Sequence, residues 1–380
     1  MNKIFNQEIF DALREGMGRI KLAEKFDLTE AEARHYVWLF DKLGDTNLEE
    51  ISIESLMSNA YGIIKKEIKK PCRMGHLSRK SGLSKEKVLE ILNKIEKETG
   101  LPIEIEEGNI TINKFMGTAI EPVNIKEQYK RELTIGFVSD THFGSKYQQR
   151  TLLAEAYNIM DSEGVNFCVH AGDVVDGSPK MHIGMLHELF IHTFEEQIDY
   201  VKEFYPVSKN FKTHIRPGNH DYSWMKSDAG DPVRMICKDR EDLIYLHPSN
   251  SAFKDKDDNT LIELFHPSGG MPYSLSYRGQ KLFESTVGRA LSEYNRTHKL
   301  ELPHVLAIGH LHKYNHFLDG FSNVFLLPCF QSQTEYLRNK GLAPMVGFII
   351  CKFTIDGEGN ILKIEPSVYD LTSKTINKDY

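Results

Sequence analysis

Oxygen and nitrogen ligands recur along this chain in five short blocks. The blocks are Asp140-x-His142, Gly172-Asp173, Gly218-Asn-His-Asp221, His266 and Gly309-His-x-His312. Carboxylate, imidazole and amide oxygen ligands suit Mn²⁺, Fe or Zn²⁺, and the blocks contain no cysteine, which argues against a structural zinc–thiolate site. The pattern therefore predicts a metal centre assembled from distant parts of the chain.

Two metal ions held close together need an anion between them, because divalent charges roughly 3.5 to 4 Å apart repel strongly. An aspartate can supply that bridge. A metal pair lowers the pKa of a shared water toward ~7, orients a phosphoryl group and neutralises charge during an in-line displacement. Phosphate ester hydrolysis is among the slowest uncatalysed reactions and requires such electrostatic help. The blocks therefore predict phosphoesterase chemistry.

Each block follows an apolar run of strand length, so each ligand is expected where a β-strand ends in a loop. In layered α/β proteins, ligands collect in the crevice outside the carboxyl ends of strands. Five such ends can meet at one point although the first and last ligands are 172 positions apart. The five apolar runs are residues 133–139, 166–171, 213–217, 261–265 and 304–309.

The order D-x-H, GD, GNHD, H, GHxH resembles the calcineurin-like metallophosphoesterase superfamily, over roughly residues 131–335. Residues 172–179 also resemble the corresponding block of SbcD-type repair nucleases. The resemblance implies an α/β (α+β) fold, a four-layer double β-sandwich flanked by helices. The chain after residue 335 would complete this fold, because residues 345–354 and 360–365 are strand-like and form a predicted hairpin.

The resemblance also implies the roles of individual side chains. Three would hold the first metal, one would bridge and three would hold the second: Asp140, His142 and His312, then Asp173, then Asn219, His266 and His310. His220 matches the catalytic histidine that contacts the phosphate or protonates the leaving oxygen, and Asp176 matches the carboxylate that orients it. The implied cofactors are two divalent metal ions, with Mn²⁺ favoured and Fe, Zn²⁺ or Ni²⁺ as alternatives.

Other polar residues near these blocks receive no catalytic assignment. His182, His187 and His192 follow the bridging block and could line a substrate cleft, but the segment 180–192 is better interpreted as a helix with packed and solvent-facing histidines. Gln331 and Gln333 follow an expected strand and receive no role. A degenerate, non-catalytic member of the superfamily, as among some polymerase small subunits, is disfavoured because the ligand set is complete.

Length and composition limit the remaining interpretation. The 380 residues are too many for one ordinary domain, and 40% hydrophobic with 27% charged residues is typical of a soluble protein. No apolar stretch is long enough to span a membrane, and the amino terminus lacks the apolar core of a signal peptide. The five cysteines are scattered without C-x-x-C spacing, which suits a reducing cytoplasm.

The amino-terminal region is predicted to be mainly α-helical. Residues 1–53 are expected to form a helix-turn-helix unit, with Thr29 and Glu32 as a capping box. Residues 54–115 resemble a winged helix, with Ser84 capping a helix to about Lys97 and a hairpin over residues 103–112. Residues 116–130 are predicted to be a linker, and residues 131–380 the catalytic domain.

Charge separates the two amino-terminal units. Residues 1–60 contain seven basic and twelve acidic side chains, whereas residues 61–100 contain eleven basic and five acidic ones. A basic island in an acidic chain is a reasonable footprint for a phosphate backbone. Five side chains at or near the start of the expected recognition helix are predicted to contact DNA: Arg73, Arg79, Lys80, Lys85 and Lys87.

Some residues oppose that prediction. Glu30 and Glu32 would repel phosphate in the first unit, and the expected wing carries Glu104, Glu106 and Glu107. Helix-turn-helix folds also dock proteins, so a protein partner or a second copy of the chain is an alternative. The favoured function is a metal-dependent DNA nuclease of DNA processing or repair. A small-molecule phosphoesterase acting on nucleotides or cyclic nucleotides, and a DNA-binding regulator with a non-catalytic metal site, remain open.

Overall fold

The computed structural model divides the chain into two compact units, Met1–Lys114 and Phe115–Tyr380. The finer domain boundaries given above stay predictions. Three parts of the predictions lie outside the described residues: Thr29 of the expected capping box, Glu107 of the expected wing, and residues 116–122 and 126–130 of the expected linker. The structure describes residues 7–28, 30–43, 53–99, 103–106, 108–112, 123–125, 131–227, 229–248, 251–255, 259–269, 274–298, 300–356, 358 and 360–380.

The first unit consists of two small clusters with separate cores. Three helices bury Phe10, Leu22 and Tyr36 between them. The helices and strands that follow enclose Leu77 and Val88 in a second apolar core. The described elements are α1 (Gln7–Arg14), α2 (Arg19–Phe26), α3 (Glu30–Leu43), α4 (Ile53–Glu67), β1 (Cys72–Arg73), α5 (Met74–Ser81), α6 (Lys85–Thr99), β2 (Ile103–Glu106) and β3 (Asn109–Ile112).

Helices α5 and α6 follow one another across a short turn, within the region expected to resemble a winged helix. Ser84 Oγ accepts a hydrogen bond from Lys87 N at 3.3 Å, as expected for the residue that caps α6. The hairpin expected over residues 103–112 is confirmed, because β2 and β3 pair antiparallel. Strand β1 adds to β3 and gives a three-stranded sheet of order β1-β3-β2. Two residues are too few to show a strand period in the sequence, so β1 was not predicted.

The second unit contains two six-stranded sheets and six α-helices among its described residues. The elements are β4 (Val123–Asn124), β5 (Glu132–Val138), α7 (Arg150–Ser162), β6 (Phe167–His170), α8 (Phe194–Phe204), β7 (Thr213–Ile215), α9 (Asn219–Lys226), α10 (Pro232–Asp239), β8 (Leu243–Tyr245), β9 (Ala252–Lys254), β10 (Thr260–Phe265), α11 (Leu275–Thr297), β11 (Val305–Ile308), β12 (Asn315–Asp319), β13 (Ser322–Leu326), α12 (Glu335–Asn339), β14 (Gly347–Ile355) and β15 (Ile361–Asp370). The sheet orders are β15-β14-β5-β6-β7-β8 and β12-β13-β11-β10-β9-β4.

The two sheets pack face to face, and helices cover the outer face of each. Alternate residues of β5, including Ile135 and Phe137, lie in the core between the sheets with Phe325 of the other sheet. On one outer face, Leu153 of α7 packs in a core with strand residues, and on the other Phe283 of α11 does so. The predicted four-layer double β-sandwich is therefore confirmed.

Every ligand-bearing run expected as a strand is one. Strands β5, β6 and β7 run parallel in the first sheet, as do β10 and β11 in the second. Their carboxyl ends precede the five ligand blocks. The predicted carboxyl-terminal hairpin is also present, because β14 pairs antiparallel with β15.

Two local expectations differ from the structure. Residues 180–192 were expected to form a helix, which is wrong: the segment contains two 3₁₀ turns, Pro179–His182 and Leu186–Glu188. Gly184, with a φ of +86°, interrupts the helical period between them. The second difference is β4, which lies within the expected linker and pairs with β9. Among the described residues, no helix is both long and apolar enough to cross a bilayer.

Candidate metal centre

The seven expected ligands meet at the carboxyl ends of the strands. Five of them have positive φ angles, where side chains other than glycine are disfavoured. Such a backbone turns a side chain back over the strand end, and it persists only where the surrounding fold enforces it. These five are Asp140 (52°), His142 (46°), Asp173 (56°), His310 (82°) and His312 (53°).

Asp140, His142 and His312 form one buried group. His142 Nε2 lies 3.1 Å from His312 Nε2 and 3.9 Å from Asp140 Oδ1. His312 Nε2 lies 3.4 Å from the same carboxylate oxygen. These are the three side chains expected to hold the first metal.

Asn219, His266 and His310 form the other group. His266 Nε2 is 3.2 Å from Asn219 Oδ1. His310 Nε2 donates to the carbonyl oxygen of Gly269 at 2.9 Å, which leaves Nδ1 as the acceptor nitrogen of that ring. Ligand atoms of His266, His310 and Asp173 lie within 4.8 Å of one another.

Asp173 lies between the two groups. Its Oδ2 is 3.1 Å from His266 Nε2 and 3.8 Å from His142 Nε2, so one carboxylate faces both sets of imidazoles. Gly218 allows this approach, because a Cβ at that position would collide with the Asp173 side chain. This is the geometry expected of a bridging ligand.

The electrostatics of the site favour ionised carboxylates. Burial alone would raise the pKa of Asp173, but His266 and His220 outweigh burial and hold the pKa well below its ordinary value. His312 and His266 likewise hold the pKa of Asp140 below its usual range against the effect of burial. Burial, with the nearby His220, lowers the pKa of His142. Neutral imidazole and ionised carboxylate are the protonation states that ligate metals.

The hydrogen bonds of two histidines test whether metal ions fit. His142 Nδ1 lies 2.7 Å from Asp176 Oδ1, and His266 Nδ1 lies 2.7 Å from the Ala171 carbonyl oxygen. Both partners are acceptors, so Nδ1 donates and Nε2 is the nitrogen of each ring that is left for a metal ion. In His266 that nitrogen faces the oxygens of Asp173 and Asn219, and Asp173 raises the pKa of the ring against the effect of burial, so a cation is favoured at this point. Electron-rich atoms directed at one point fit a divalent cation, and this second contact is the usual orienting bond of a metal-binding histidine.

His220 lies beside this centre without belonging to either group. Its ring is 4.6 Å from the His142 ring, and its Nδ1 donates to the main-chain carbonyl of Asp176 at 2.7 Å. The Asp176 carboxylate instead accepts from His142 and lies 3.8 Å from His220 Nδ1. In the structure, Asp176 therefore contacts His220 through its main chain, whereas the sequence suggested its carboxylate.

Two residues of the site were missed by the sequence interpretation. Asp221, the last residue of the GNHD block, accepts from the main-chain nitrogens of Gly218 (2.7 Å), Val174 (3.2 Å) and Val175 (3.0 Å), and so joins two ligand loops. Burial and the charge of Asp173 raise the pKa of Asp221 to about 7. Gln331 Nε2 donates to Asp176 Oδ1 at 3.3 Å. The fixed position of Asp221 in its block was a usable signal. The sequence places Gln331 after an expected strand, but its residue type gave no reason to assign it a role.

The five predicted DNA contacts lie in the other unit. They lie around the turn between α5 and α6 and on the adjoining strand, and all five side chains are exposed. Lys87 forms an ion pair with Glu90 at 2.7 Å. The residues are Arg73 on β1, Arg79 and Lys80 in the last turn of α5, and Lys85 and Lys87 in the first turn of α6.

Comparison with known proteins finds relatives in sequence and in structure. The DNA polymerase II small subunit of Archaeoglobus fulgidus is 28% identical over 267 residues, covering 60% of this chain and 52% of that protein. The chain thus spans about half the length of this curated relative. An archaeal phosphodiesterase structure covers 62% of this chain and all of its own at 16% identity and a TM-score of 0.29. Vps29 of Entamoeba histolytica, complexed with zinc, covers 63% of this chain and 99% of its own, at 12% identity and a TM-score of 0.28.

Structural similarity at these TM-scores does not assign a family, whereas the sequence does. The model of calcineurin-like phosphoesterases matches residues 133–324, which are just over half of the chain and contain all seven of the clustered side chains. The chain belongs to the calcineurin-like phosphoesterase family.

Proposed function

We propose that this protein is a dinuclear metal-dependent phosphodiesterase that hydrolyses DNA. The observation that carries the proposal is the position of Asp173, whose carboxylate faces His142 on one side and His266 on the other. A shared carboxylate between two ligand groups is what a pair of cations requires, because it reduces their repulsion.

Each ligand group would hold one ion. Asp140, His142 and His312 would bind the first, Asn219, His266 and His310 the second, and Asp173 both. When bound, such a pair supplies an activated water and neutralises charge on the phosphoryl oxygens. Mn²⁺ is the favoured ion for this mixture of carboxylate, amide and imidazole ligands, with Fe, Zn²⁺ or Ni²⁺ as alternatives.

His220 would act on the phosphate or on the leaving oxygen. Its Nδ1 is committed to the Asp176 carbonyl at 2.7 Å, so Nε2 is the nitrogen that remains for substrate. The Asp176 carboxylate accepts a hydrogen bond from Nδ1 of His142, and the Ala171 carbonyl oxygen accepts one from Nδ1 of His266. Because these bonds fix both rings, neither ring has to reorient when substrate binds. Preorganisation of this kind is the protein's main contribution to phosphoryl transfer.

The amino-terminal unit supports DNA as the substrate. The element order α4-β1-α5-α6-β2-β3 and the sheet order β1-β3-β2 support the winged-helix prediction, and α6 begins with exposed lysines. Exposed cations at a helix start can contact a phosphate backbone without base specificity. The name of the Archaeoglobus relative, a DNA polymerase subunit, points the same way.

A panel of substrates tests the proposal. The purified protein would be incubated with Mn²⁺ and single-stranded DNA, duplex DNA, a cyclic nucleotide or bis(p-nitrophenyl) phosphate, with the Asp173→Asn variant as control. We expect wild-type protein to cleave DNA and the variant to be inactive. Hydrolysis of the small substrates alone would identify a small-molecule phosphodiesterase. Two bound metals with no hydrolysis of any substrate would identify a DNA-binding regulator.

A further inference from the structure

His182 lies against the catalytic centre although it belongs to none of the five ligand blocks. Its Nε2 lies 2.8 Å from the main-chain carbonyl oxygen of Asp176 and 3.9 Å from Asp176 Oδ2. Its ring centroid is 5.6 Å from that of His220. The side chain is 10% exposed, about half the exposure of His220. His182 is therefore an inner residue of the site and not a surface histidine of the loop.

The Asp176 carbonyl oxygen accepts two imidazole hydrogen bonds. His220 Nδ1 donates to it at 2.7 Å and His182 Nε2 at 2.8 Å. A carbonyl oxygen has two lone pairs, so the two donors together saturate it. The second donor restrains the carbonyl on which His220 depends, and the His182 ring limits rotation of its neighbour.

Other bonds hold this loop even without His182. Ser223 Oγ accepts from Ser178 N at 2.7 Å and donates to the His220 carbonyl at 2.6 Å, which ties the loop to the start of α9. Ser178 also caps the 3₁₀ turn that ends at His182. Removal of the imidazole should therefore change the orientation of His220 while leaving the loop and the metal ligands in position.

We propose that His182 is a positioning residue, which aims His220 at the leaving oxygen of the phosphodiester by fixing the Asp176 carbonyl. The proposal rests on the function proposed above. General acid catalysis depends on such orientation, because the proton donor must lie within hydrogen-bond reach of the oxygen that departs. The effect should be largest for substrates whose leaving group needs a proton.

Two substrates separate this role from a general structural one. The deoxyribose oxygen that leaves during DNA cleavage is strongly basic and must be protonated, whereas p-nitrophenolate leaves bis(p-nitrophenyl) phosphate without a proton. Positioned proton transfer contributes typically ~10²–10⁴-fold, so we expect His182→Leu to slow DNA cleavage roughly 10- to 100-fold. Hydrolysis of bis(p-nitrophenyl) phosphate should change less than about threefold, since no proton donor is required.

His182→Gln is the conservative variant, because an amide nitrogen can donate to the same carbonyl. It should recover most of the DNA cleavage lost in His182→Leu. His192→Ala, at an exposed histidine of the same segment, should behave as wild type. Metal content, measured by plasma mass spectrometry, should be equal in all four proteins.

Three results would overturn the assignment to His182: equal slowing of both substrates, loss of metal from His182→Leu, or no rescue by His182→Gln. Failure of the proposed function would look different, because wild-type protein itself would then leave DNA intact.

Discussion

The candidate metal centre and the basic face of the amino-terminal unit, which consists of Arg73, Arg79, Lys80, Lys85 and Lys87, differ in how firmly their side chains are held. Asp140, His142 and Asp173 are at most 2% exposed, and each has partners on other strands or loops. Lys85 and Lys87 project from the first turn of α6 into solvent. Buried ligands depend on geometry and tolerate little change, whereas exposed cations act through charge and are partly interchangeable.

This contrast assigns separate properties to the two regions. Sensitivity to conservative substitution and to acid should belong to the phosphoesterase unit. Sensitivity to salt should belong to the basic face.

The largest effect is expected at the shared carboxylate. Asp173→Asn keeps the size of the side chain and removes the charge that both ligand groups face, so hydrolysis should fall by at least about 10³-fold with loss of bound metal. Activity with Mn²⁺ and metal stoichiometry are the measurements. Asp199→Asn, at an exposed aspartate of α8, is the matched control. Normal turnover in the Asp173 variant would remove the bridging assignment.

The next effect is expected at His220. His220→Ala should slow DNA hydrolysis about 10²–10⁴-fold, because a positioned acid is lost. Metal stoichiometry should stay at the wild-type value, since the ring belongs to neither ligand group. Parallel loss of metal and activity would instead identify His220 as a ligand.

Acid sensitivity is expected from a buried histidine away from the metal centre. His214 packs against Phe167 and Phe253, and burial, with the charge of Lys212, lowers its pKa to about 4. In the unfolded chain this histidine takes up a proton near pH 6.5, so acid favours unfolding between that pH and about 4. Its share of the stability lost between pH 7.5 and pH 5 should be about 2 kcal/mol.

His214→Phe should remove this contribution of about 2 kcal/mol to the loss of stability between pH 7.5 and pH 5. Urea unfolding at the two pH values would measure it, with His192→Phe as the exposed control. An unchanged pH dependence in His214→Phe would contradict a neutral histidine at this position.

The smallest effect is expected on the basic face. Lys85→Glu with Lys87→Glu should weaken DNA binding roughly tenfold and reduce the salt dependence of the affinity, because phosphate contacts are lost. Hydrolysis of bis(p-nitrophenyl) phosphate should not change. The control variant, Lys94→Glu with Lys97→Glu, makes the same charge change on the same helix, about 15 Å from Lys85 and Lys87. It should bind DNA more tightly than the variant with Lys85→Glu and Lys87→Glu. Equal affinities of the two variants would refute a specific role for the start of α6.

The clustering of the seven expected ligands could be predicted from the sequence because their types and order are constrained by metal chemistry, and because each follows a strand. Their role as ligands stays a prediction. The sequence predicted second contacts poorly. Asp176 was assigned to His220 through its carboxylate, but hydrogen-bond direction depends on loop geometry that no residue pattern records. His182 was expected on a helix, whereas Gly184 and local contacts give 3₁₀ turns instead. Short strands such as β1 are fixed by tertiary pairing and have no local signal.

The left-handed backbone at five ligand positions has a consequence for engineering this protein. Each such residue stores of order 1–3 kcal/mol, which glycine would release. Directed evolution that selects only for heat resistance would therefore favour glycine at the positions where the ions should bind. The selected proteins would have a higher free energy of unfolding but no hydrolytic activity. Stabilising libraries should leave these five codons fixed.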